Sequence, residues 1–209
     1  MKKITFIAAL TAATLMLVSS CGAQKLATGG MGQKKAKSEA QLYAEDPNAT
    51  TLRSWAQYNG FPEDNLEQRA AVLARQELSN TIATLVTGSI ENYGDTYRAS
   101  EISSNSEGIS KRQTLSSGSK DKVSAVTQEL LRGSRIAKSE RYIQPDGTET
   151  AYVCVELALE TLINNLQSNK ELHQVISENE KLYIDWRSEQ FSQSMQDEFE
   201  TLKEAKGLN

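Results

Sequence analysis

The residues best suited to chemistry in this chain are its two cysteines and its single histidine. Cys21 directly follows two small residues, Ser19 and Ser20, at the end of an apolar stretch. Cys154 lies among alternating apolar residues, which favours a buried, inert thiol over a reactive or intermolecular one. His173 is the only histidine, and no carboxylates stand around it at ligand spacing. We therefore expect a surface or half-buried histidine rather than a metal ligand or a catalytic base.

Residues 1–20 have the form of a secretory signal. Lys2 and Lys3 precede an apolar run from Ile4 to Val18, which is shorter than the ~20 residues that span a bilayer. The stretch Val18-Ser19-Ser20-Cys21 resembles the lipobox of bacterial lipoproteins. The resemblance implies a diacylglycerol thioether on Cys21, cleavage before it and acylation of its amine; the alternative is an ordinary secretory signal with a chance cysteine. Lipid on Cys21 would leave Cys154 without an intrachain disulfide partner.

The position of the anchor is also predicted from this segment. The residues just after Cys21 contain no acidic pair, which by resemblance to known sorting signals favours the outer membrane, facing the periplasm. The predicted partner is therefore the membrane, reached through the lipid on Cys21. Stable attachment needs two or more acyl chains.

The charge balance opposes nucleic acid as a partner. The chain has 23 basic and 27 acidic residues, and residues 1–20 hold two of the basic and none of the acidic ones. Residues 21–209 therefore carry 21 basic and 27 acidic side chains, a net charge of −6. A general electrostatic attraction to phosphates requires the opposite sign.

Composition divides the mature chain into three parts. Residues 21–50 are rich in Gly, Ala, Lys and Gln, which is typical of a flexible tether. Contact of its lysines with anionic lipid head groups is the alternative. Residues 51–165 are predicted to form an α+β lipoprotein domain and residues 166–209 a C-terminal helical extension.

Hydrophobic spacing predicts the elements of the domain. We expect a short docking element at Thr51–Asn59, then a helix after Gly60-Phe61-Pro62 with proline near its first position, ending at Gly88. An extended, exposed strand is expected over 89–108. A second helix is predicted from Ser119, as its N-cap, to Arg132, with Gly133 after it.

A β-hairpin is the clearest feature of the second half. Strands Arg135–Gln144 and Glu149–Leu157 flank Pro145-Asp146-Gly147, a turn in which glycine supplies the positive φ. In the second strand apolar residues alternate, so one face should be buried. The chain then reads as helical from Ala158 onward.

The fold class that follows is α+β: a small antiparallel sheet of about three strands, covered on one face by helices. A long final helix is predicted from Glu178 to Lys206, with Ser177 and Glu180 as a capping box. Its aromatic stripe, Trp186 to Phe199, either packs back on the domain or joins another chain. A homo-oligomer or an envelope protein partner is therefore expected through this helix.

Two stretches resemble one family. Arg69-Ala70-Ala71-Val72-Leu73-Ala74-Arg75-Gln76-Glu77-Leu78 looks like the "ARxEL" helix of the LPP-twenty family of small membrane-associated lipoproteins. The residues Leu131–Ile136, Asp146-Gly147 and Tyr152–Leu157 are similar to that family's second motif. The resemblance spans about residues 65–160 and implies a lipid-anchored, non-enzymatic protein with a dodecin-like strand-helix-strand-strand core. Flagellum-associated outer-membrane lipoproteins share the pattern, but no residue here points to a flagellum.

The remaining chemistry is sparse, so we expect no enzyme, cofactor or metal. Gly29-Gly30-Met31-Gly32 lacks the Lys-Ser/Thr of a phosphate loop, and Glu198 and Glu200 suit a solvated helix face. The expected function is a lipid-anchored envelope lipoprotein with a structural or protein-interaction role. The alternatives are a periplasmic binding module for a small or lipidic ligand and, third, an envelope hydrolase that would have to use His173.

Overall fold

The computed structural model describes residues 24–26, 37–62, 65–102 and 114–207, with side chains except at 24–26 and 97–102. Its elements, in chain order, are β1 (Gln24–Leu26), α1 (Glu39–Ala44), β2 (Thr51–Gly60), α2 (Leu66–Ile102), α3 (Ser117–Leu130), β3 (Arg135–Ile143), β4 (Glu149–Ala158), α4 (Leu159–Ser168), α5 (Lys170–Glu180) and α6 (Glu189–Ala205).

The strands form one sheet in the order β1-β3-β4-β2. β2 and β3 both pair with β4 in antiparallel fashion, and β1 adds a short parallel strand beside the end of β3. The prediction of an α+β fold with a three-stranded antiparallel sheet and C-terminal helices is thus confirmed, and β1 is an addition to it. The segment expected to be a docking element, Thr51–Asn59, is strand β2 at the edge of the sheet.

The front face of the sheet, defined as the face that contacts α2, contains the main core. Ala151, Val153, Val155 and Leu157 alternate along β4 on this side and are all buried. Small residues on α2, including Ala70 and Ala74, let the helix backbone approach the strands. Each large apolar side chain buried here contributes roughly 1.5–3 kcal/mol. This core also contains residues of α4, α5 and α6, so the predicted C-terminal extension shares it.

The hairpin between β3 and β4 follows the sequence prediction closely. Gly147 has a φ of 82°, in the region that other residues rarely adopt. The Thr148 carbonyl accepts a hydrogen bond from the Gln144 N–H at 2.8 Å, and the Gln144 carbonyl accepts one from the Gly147 N–H at 3.0 Å. The tight turn fixes the register of the two strands.

Helix α2 is longer than predicted, and it corrects two expectations. It begins at Leu66 rather than at Pro62, and it continues through Gly88 and through the first part of the predicted strand to Ile102. The rest of that strand prediction, residues 103–108, lies outside the described residues. Ile90 and Tyr93 are buried and extend the apolar stripe at helical spacing, which outweighs the cost of one glycine within the helix.

The ends of the later helices also differ from prediction. Ser116, not Ser119, caps α3, and Ser119 is buried instead. The final helix predicted from Glu178 to Lys206 is not continuous. Its start belongs to α5, which ends at Glu180 before the left-handed Lys181 with φ 48°, and the rest of it contains α6. The expected capping box at Ser177 is therefore wrong, and Ser188 caps α6 instead.

Two elements lie in the segment predicted to be a flexible tether. β1 pairs with β3, and α1 packs on the sheet. The tether prediction therefore does not hold for these two pieces of residues 21–50. α1 also covers the face of the sheet that the prediction left without a helix.

Candidate functional site

The face of the sheet opposite α2, called the back face below, is built around aromatic side chains. Side chains alternate between faces along a strand, so Tyr152 and Cys154 of β4 lie on the back face, in a cluster with Trp55 and Tyr142. The Trp55 and Tyr152 rings stack with centroids 6.5 Å apart, and Tyr142 meets Tyr152 edge-on at 5.5 Å. The middle of the back face is thus apolar, and α1 packs on it.

Helix α1 depends on the sheet for its own stability, since six residues are too few for a helix to persist alone in water. Ala40 is fully buried against the back face. Ser38 caps the helix by accepting a hydrogen bond from the Gln41 N–H at 3.1 Å. The Ala40 N–H donates to the buried carboxylate of Glu140 at 3.0 Å, which places negative charge at the positive end of the helix.

The Glu140 carboxylate also orients an aromatic ring of the back face. It accepts a hydrogen bond from the Tyr142 hydroxyl at 2.7 Å. Burial, together with this hydrogen bond, raises the pKa of Tyr142 to about 12. The phenol therefore stays neutral and keeps donating to Glu140, whose carboxylate also accepts a hydrogen bond from the Ala40 N–H of α1.

A second buried carboxylate, Glu156, connects α1 with three strands. Arg135 donates to it from Nε at 3.0 Å and from Nη2 at 2.6 Å, Arg53 from Nε at 3.4 Å, and the Tyr43 hydroxyl at 2.9 Å. The Arg53 guanidinium lies 3.8 Å from the centroid of the Tyr43 ring and also donates to the Tyr43 carbonyl at 3.0 Å. These four residues are called the Glu156 cluster below.

The protonation states in the Glu156 cluster suit a structural link better than proton transfer. Burial alone would raise the pKa of Glu156, but hydrogen bonds from Arg135 and Tyr43 outweigh burial and leave the pKa below its usual value. The hydrogen bond to Glu156 raises the pKa of Tyr43. At neutral pH the Glu156 carboxylate is charged and the Tyr43 phenol is neutral, so the phenol can donate its hydrogen bond to the carboxylate.

Cys154 lies beside this cluster and is fully buried and free. Burial raises the pKa of its thiol to about 11. Because the thiolate is the reactive form, almost none is available at neutral pH. The structure confirms a buried thiol at this position.

His173 is half-buried, as expected, and its ring is occupied by structural contacts. Its Nε2 lies 2.7 Å from the Leu166 carbonyl oxygen, and its ring stacks on Trp186 with centroids 4.5 Å apart. Burial lowers its pKa. Among the described residues, no hydrogen bond joins His173 to a serine or a carboxylate. Within the same ranges, no three His, Cys, Asp or Glu side chains are grouped so that they could hold a metal ion.

The aromatic stripe of the C-terminal helix is buried within the chain. Phe191, Met195 and Phe199 of α6 are at most 8% exposed, as is Trp186 just before the helix. Tyr93 of α2 meets Phe191 edge-on at 6.0 Å. Of the two outcomes expected for this stripe, packing back on the domain is the one observed.

An open depression of about 330 Å³ lies at the hairpin end of the sheet. The Gln144 amide donates to the Thr150 hydroxyl within it at 3.0 Å. Its lining offers amide, hydroxyl and carboxylate groups, from Gln57, Asn59, Gln144, Pro145, Asp146 and Thr150. These groups suit a small polar molecule better than a lipid chain.

The predicted lipid attachment residue, Cys21, lies outside the described residues, as does the rest of the lipobox. The nearest described element is β1, which starts three residues later. Across the helices of the described ranges, none combines the length and the apolar character needed to cross a bilayer.

Sequence reasoning missed the Glu156 cluster and Glu140. One signal was available, because Glu156 follows Tyr152 and Cys154 on the side of β4 that points away from the core. A buried carboxylate requires partners, but its partners are 21, 103 and 113 residues away in the chain. The sequence does not show which distant residues they are.

No protein-family model matches the chain, and neither a curated protein nor a solved structure matches it. The resemblance to the LPP-twenty lipoproteins and the dodecin-like form of the core therefore stay predictions.

Proposed function

We propose that this protein is a lipid-anchored lipoprotein of the bacterial cell envelope with a structural or protein-interaction role. The observation that carries the proposal is the stretch Val18-Ser19-Ser20-Cys21 at the end of an apolar signal segment. The lipid on Cys21 would hold the domain at the outer membrane, facing the periplasm, and no enzymatic activity is part of the proposal.

The structural contacts made by the reactive side chains of the domain support this role. Glu156 is bonded to two arginines and a tyrosine, Cys154 is buried, and the ring of His173 is held by a carbonyl and an indole. Each of these groups stabilises the fold. A domain whose carboxylate, thiol and imidazole groups are held in internal contacts is better suited to binding other proteins than to converting a substrate.

Metabolic labelling with radioactive palmitate tests the anchor. We expect label on the wild-type chain and on a Cys154→Ala variant, because Cys154 is buried and unlipidated. We expect no label on Cys21→Ala, and release of that variant from the membrane fraction. An unlabelled wild type, or Cys21→Ala that stays membrane-bound, would contradict the proposed anchoring.

Cross-linking in intact cells tests the interaction role. The lipidated protein should cross-link to itself or to an envelope protein, and a monomer with no cross-linked product would contradict the role. This result is independent of palmitate labelling, so the two parts of the proposal can fail separately.

A second candidate is a binding module for a small polar ligand, and the polar depression at the hairpin end favours it. Isothermal titration with N-acetylglucosamine, which presents both an amide and hydroxyls, provides a first test. Binding that is weakened by Asn59→Ala but unchanged by Ser139→Ala, on the other side of the sheet, would support this module. Absence of heat at millimolar sugar would count against sugar of this kind as the ligand.

A further inference from the structure

The two edges of the sheet differ in how well they are protected against pairing with another strand. The outer edge of β3 is bordered by β1 at Arg141–Ile143, and it contains a bulge between Ile136 and Lys138. Lys138 on this strand is exposed. Bulges and lysines are common devices that prevent edge-to-edge association.

The opposite edge, β2, has no bordering strand, bulge or lysine in the described part of the chain, and α6 approaches it at Thr51–Arg53, where Phe199 and Lys203 share a small cavity with the strand. All ten of its residues pair with β4 in an unbroken register, and it contains neither proline nor lysine. Within the described ranges, no strand lies beyond β2, and no turn or loop hydrogen bond reaches its backbone. Because alternate residues of an antiparallel strand point their N–H and C=O groups outward, about half of β2 offers backbone groups to another strand.

An exposed leucine lies beside this edge. Helix α2 runs antiparallel along β2: Arg69 donates to the Tyr58 hydroxyl at 2.6 Å, and Thr81 lines the same small cavity as Thr51. Leu73 is one turn after Arg69 and so lies on the same side of the helix, level with the middle of β2. It is 40% exposed, so its side chain is available to a partner on this side of the helix.

We propose that two copies of this chain associate by antiparallel pairing of β2 with β2, about a two-fold axis perpendicular to the sheet. The inference rests on the proposed interaction role and deepens it by naming the partner and the surface. A two-fold axis at Trp55 or at Ala56 pairs nine of the ten β2 residues and keeps the two front faces on the same side. The result is one continuous sheet across both copies.

The charge of the strand fits pairing with itself. Arg53 is the only charged residue of β2. With the axis at Trp55 it lies opposite Gln57 of the second copy, and with the axis at Ala56 it lies opposite Asn59. Neither register places like charges opposite each other, which would destabilise the pair.

The position of α2 fits the same arrangement. The helix packs on β2 and β4, and neighbouring strands are about 4.8 Å apart. Extending the sheet through β2 therefore brings the two α2 axes to within about 10 Å, a normal packing distance for two helices. Leu73 then meets Leu73 of the second copy near the axis, and both are removed from water.

Single cysteines in the full-length protein in its own membrane test this geometry. Leu73→Cys should form a disulfide-linked dimer on mild oxidation, at least about tenfold more than Val72→Cys at matched expression. Val72 is a fair control because it is the neighbouring residue, is 63% exposed and is turned about 100° from Leu73 around the helix, toward the side on which Arg75 contacts Ser134. The wild type controls for Cys21 and the buried Cys154.

The outcomes separate this inference from the proposed function. Equal cross-linking at the two positions, or none at Leu73→Cys, would overturn pairing through β2. A Leu73→Cys product that contains a different protein would also overturn it, yet would leave an interaction role standing. Failure of palmitate labelling concerns the anchor alone.

A charge substitution gives a second, quantitative test. Leu73→Lys places two like charges at the axis, and we expect the dissociation constant of the dimer in detergent to rise at least about tenfold, as for loss of a central apolar contact. Val72→Lys should change it less than about twofold. Sedimentation equilibrium provides the constants, and circular dichroism checks that both variants are folded. A Leu73→Lys variant that dimerises like the wild type would overturn the proposal.

Discussion

Replacement of Glu156 by glutamine is the sharpest test of the back face. Glutamine keeps the shape of the side chain but removes the charge that Arg53, Arg135 and Tyr43 address. Hydrogen bonds to charged groups each contribute about 1.5–3 kcal/mol. The Arg135 side chain is 78% exposed and can return to water, whereas the Arg53 side chain is only 12% exposed. We therefore expect Glu156→Gln to lower the free energy of unfolding by about 2–4 kcal/mol.

Urea unfolding at neutral pH measures this loss, as a lower midpoint with an unchanged dependence on urea. Arg135→Gln is the matched control, and it should lose less stability than Glu156→Gln, because its guanidinium is exposed and Arg53 and Tyr43 still bond to the charged carboxylate. A loss below about 1 kcal/mol for Glu156→Gln, or equal losses for the two variants, would refute the view that Glu156 connects α1 with the strands.

The pH dependence of stability gives an independent check on the same residue. The folded pKa of Glu156 lies below its usual value. Its contribution is therefore fully present above the ordinary carboxyl pKa of about 4.3 and is lost as the pH falls through the folded pKa. The Glu156→Gln variant should lack this part of the acid destabilisation. If both proteins lose stability in parallel below that pH, the carboxylate is not the group responsible.

Three further predictions concern His173 and the glycines. Burial lowers the pKa of His173, so stability should fall as the pH drops below about 6.5, and His173→Gln should flatten this dependence in denaturant titrations between pH 7 and 5. Gly147→Ala should lower the free energy of unfolding by about 1–2 kcal/mol, because Gly147 has a positive φ. Gly118→Ala should raise it by about 0.5–1 kcal/mol, because nothing lies within 4 Å of the added Cβ. The reverse order of stabilities would be inconsistent with these backbone conformations. A Cβ on Gly88 would lie 2.4 Å from Glu198 Cδ, so Gly88→Ala should stabilise a Glu198→Ala background by about 1 kcal/mol and the wild type by less, as measured by thermal unfolding of the four proteins.

The hairpin and its second strand could be predicted from sequence because their signals are local. Pro145-Asp146-Gly147 determines a turn, and the alternation along β4 identifies the core face. The full length of α2 could not be predicted in the same way. Its second half is rich in polar residues, and only the packing of Ile90 and Tyr93 against distant parts of the chain favours helix over strand.

Helix α1, which packs on the back face, could not be predicted from sequence for a different reason. Helix α1 is too short to persist alone in water, and its stability comes from Glu140 and Glu156, which are about a hundred residues later in the chain. Sequence composition identified the segment as polar and glycine-rich on average. It could not show that six of its residues dock on a surface that forms only after the sheet has assembled.

Strand β1 has a consequence for how the protein would sit on a membrane. Cys21 is three residues before β1, a chain length of about 10 Å at most, whereas a flexible segment of about thirty residues would span roughly 30 Å. A lipid on Cys21 would therefore hold the β3 edge of the sheet against the head groups. In the pair of copies joined through β2, the two β1 strands stand at opposite ends of an eight-stranded sheet, seven strand spacings or about 34 Å apart. Such a body would lie along the bilayer on two separate attachments, so its orientation, and not only its location, would be determined by the anchors.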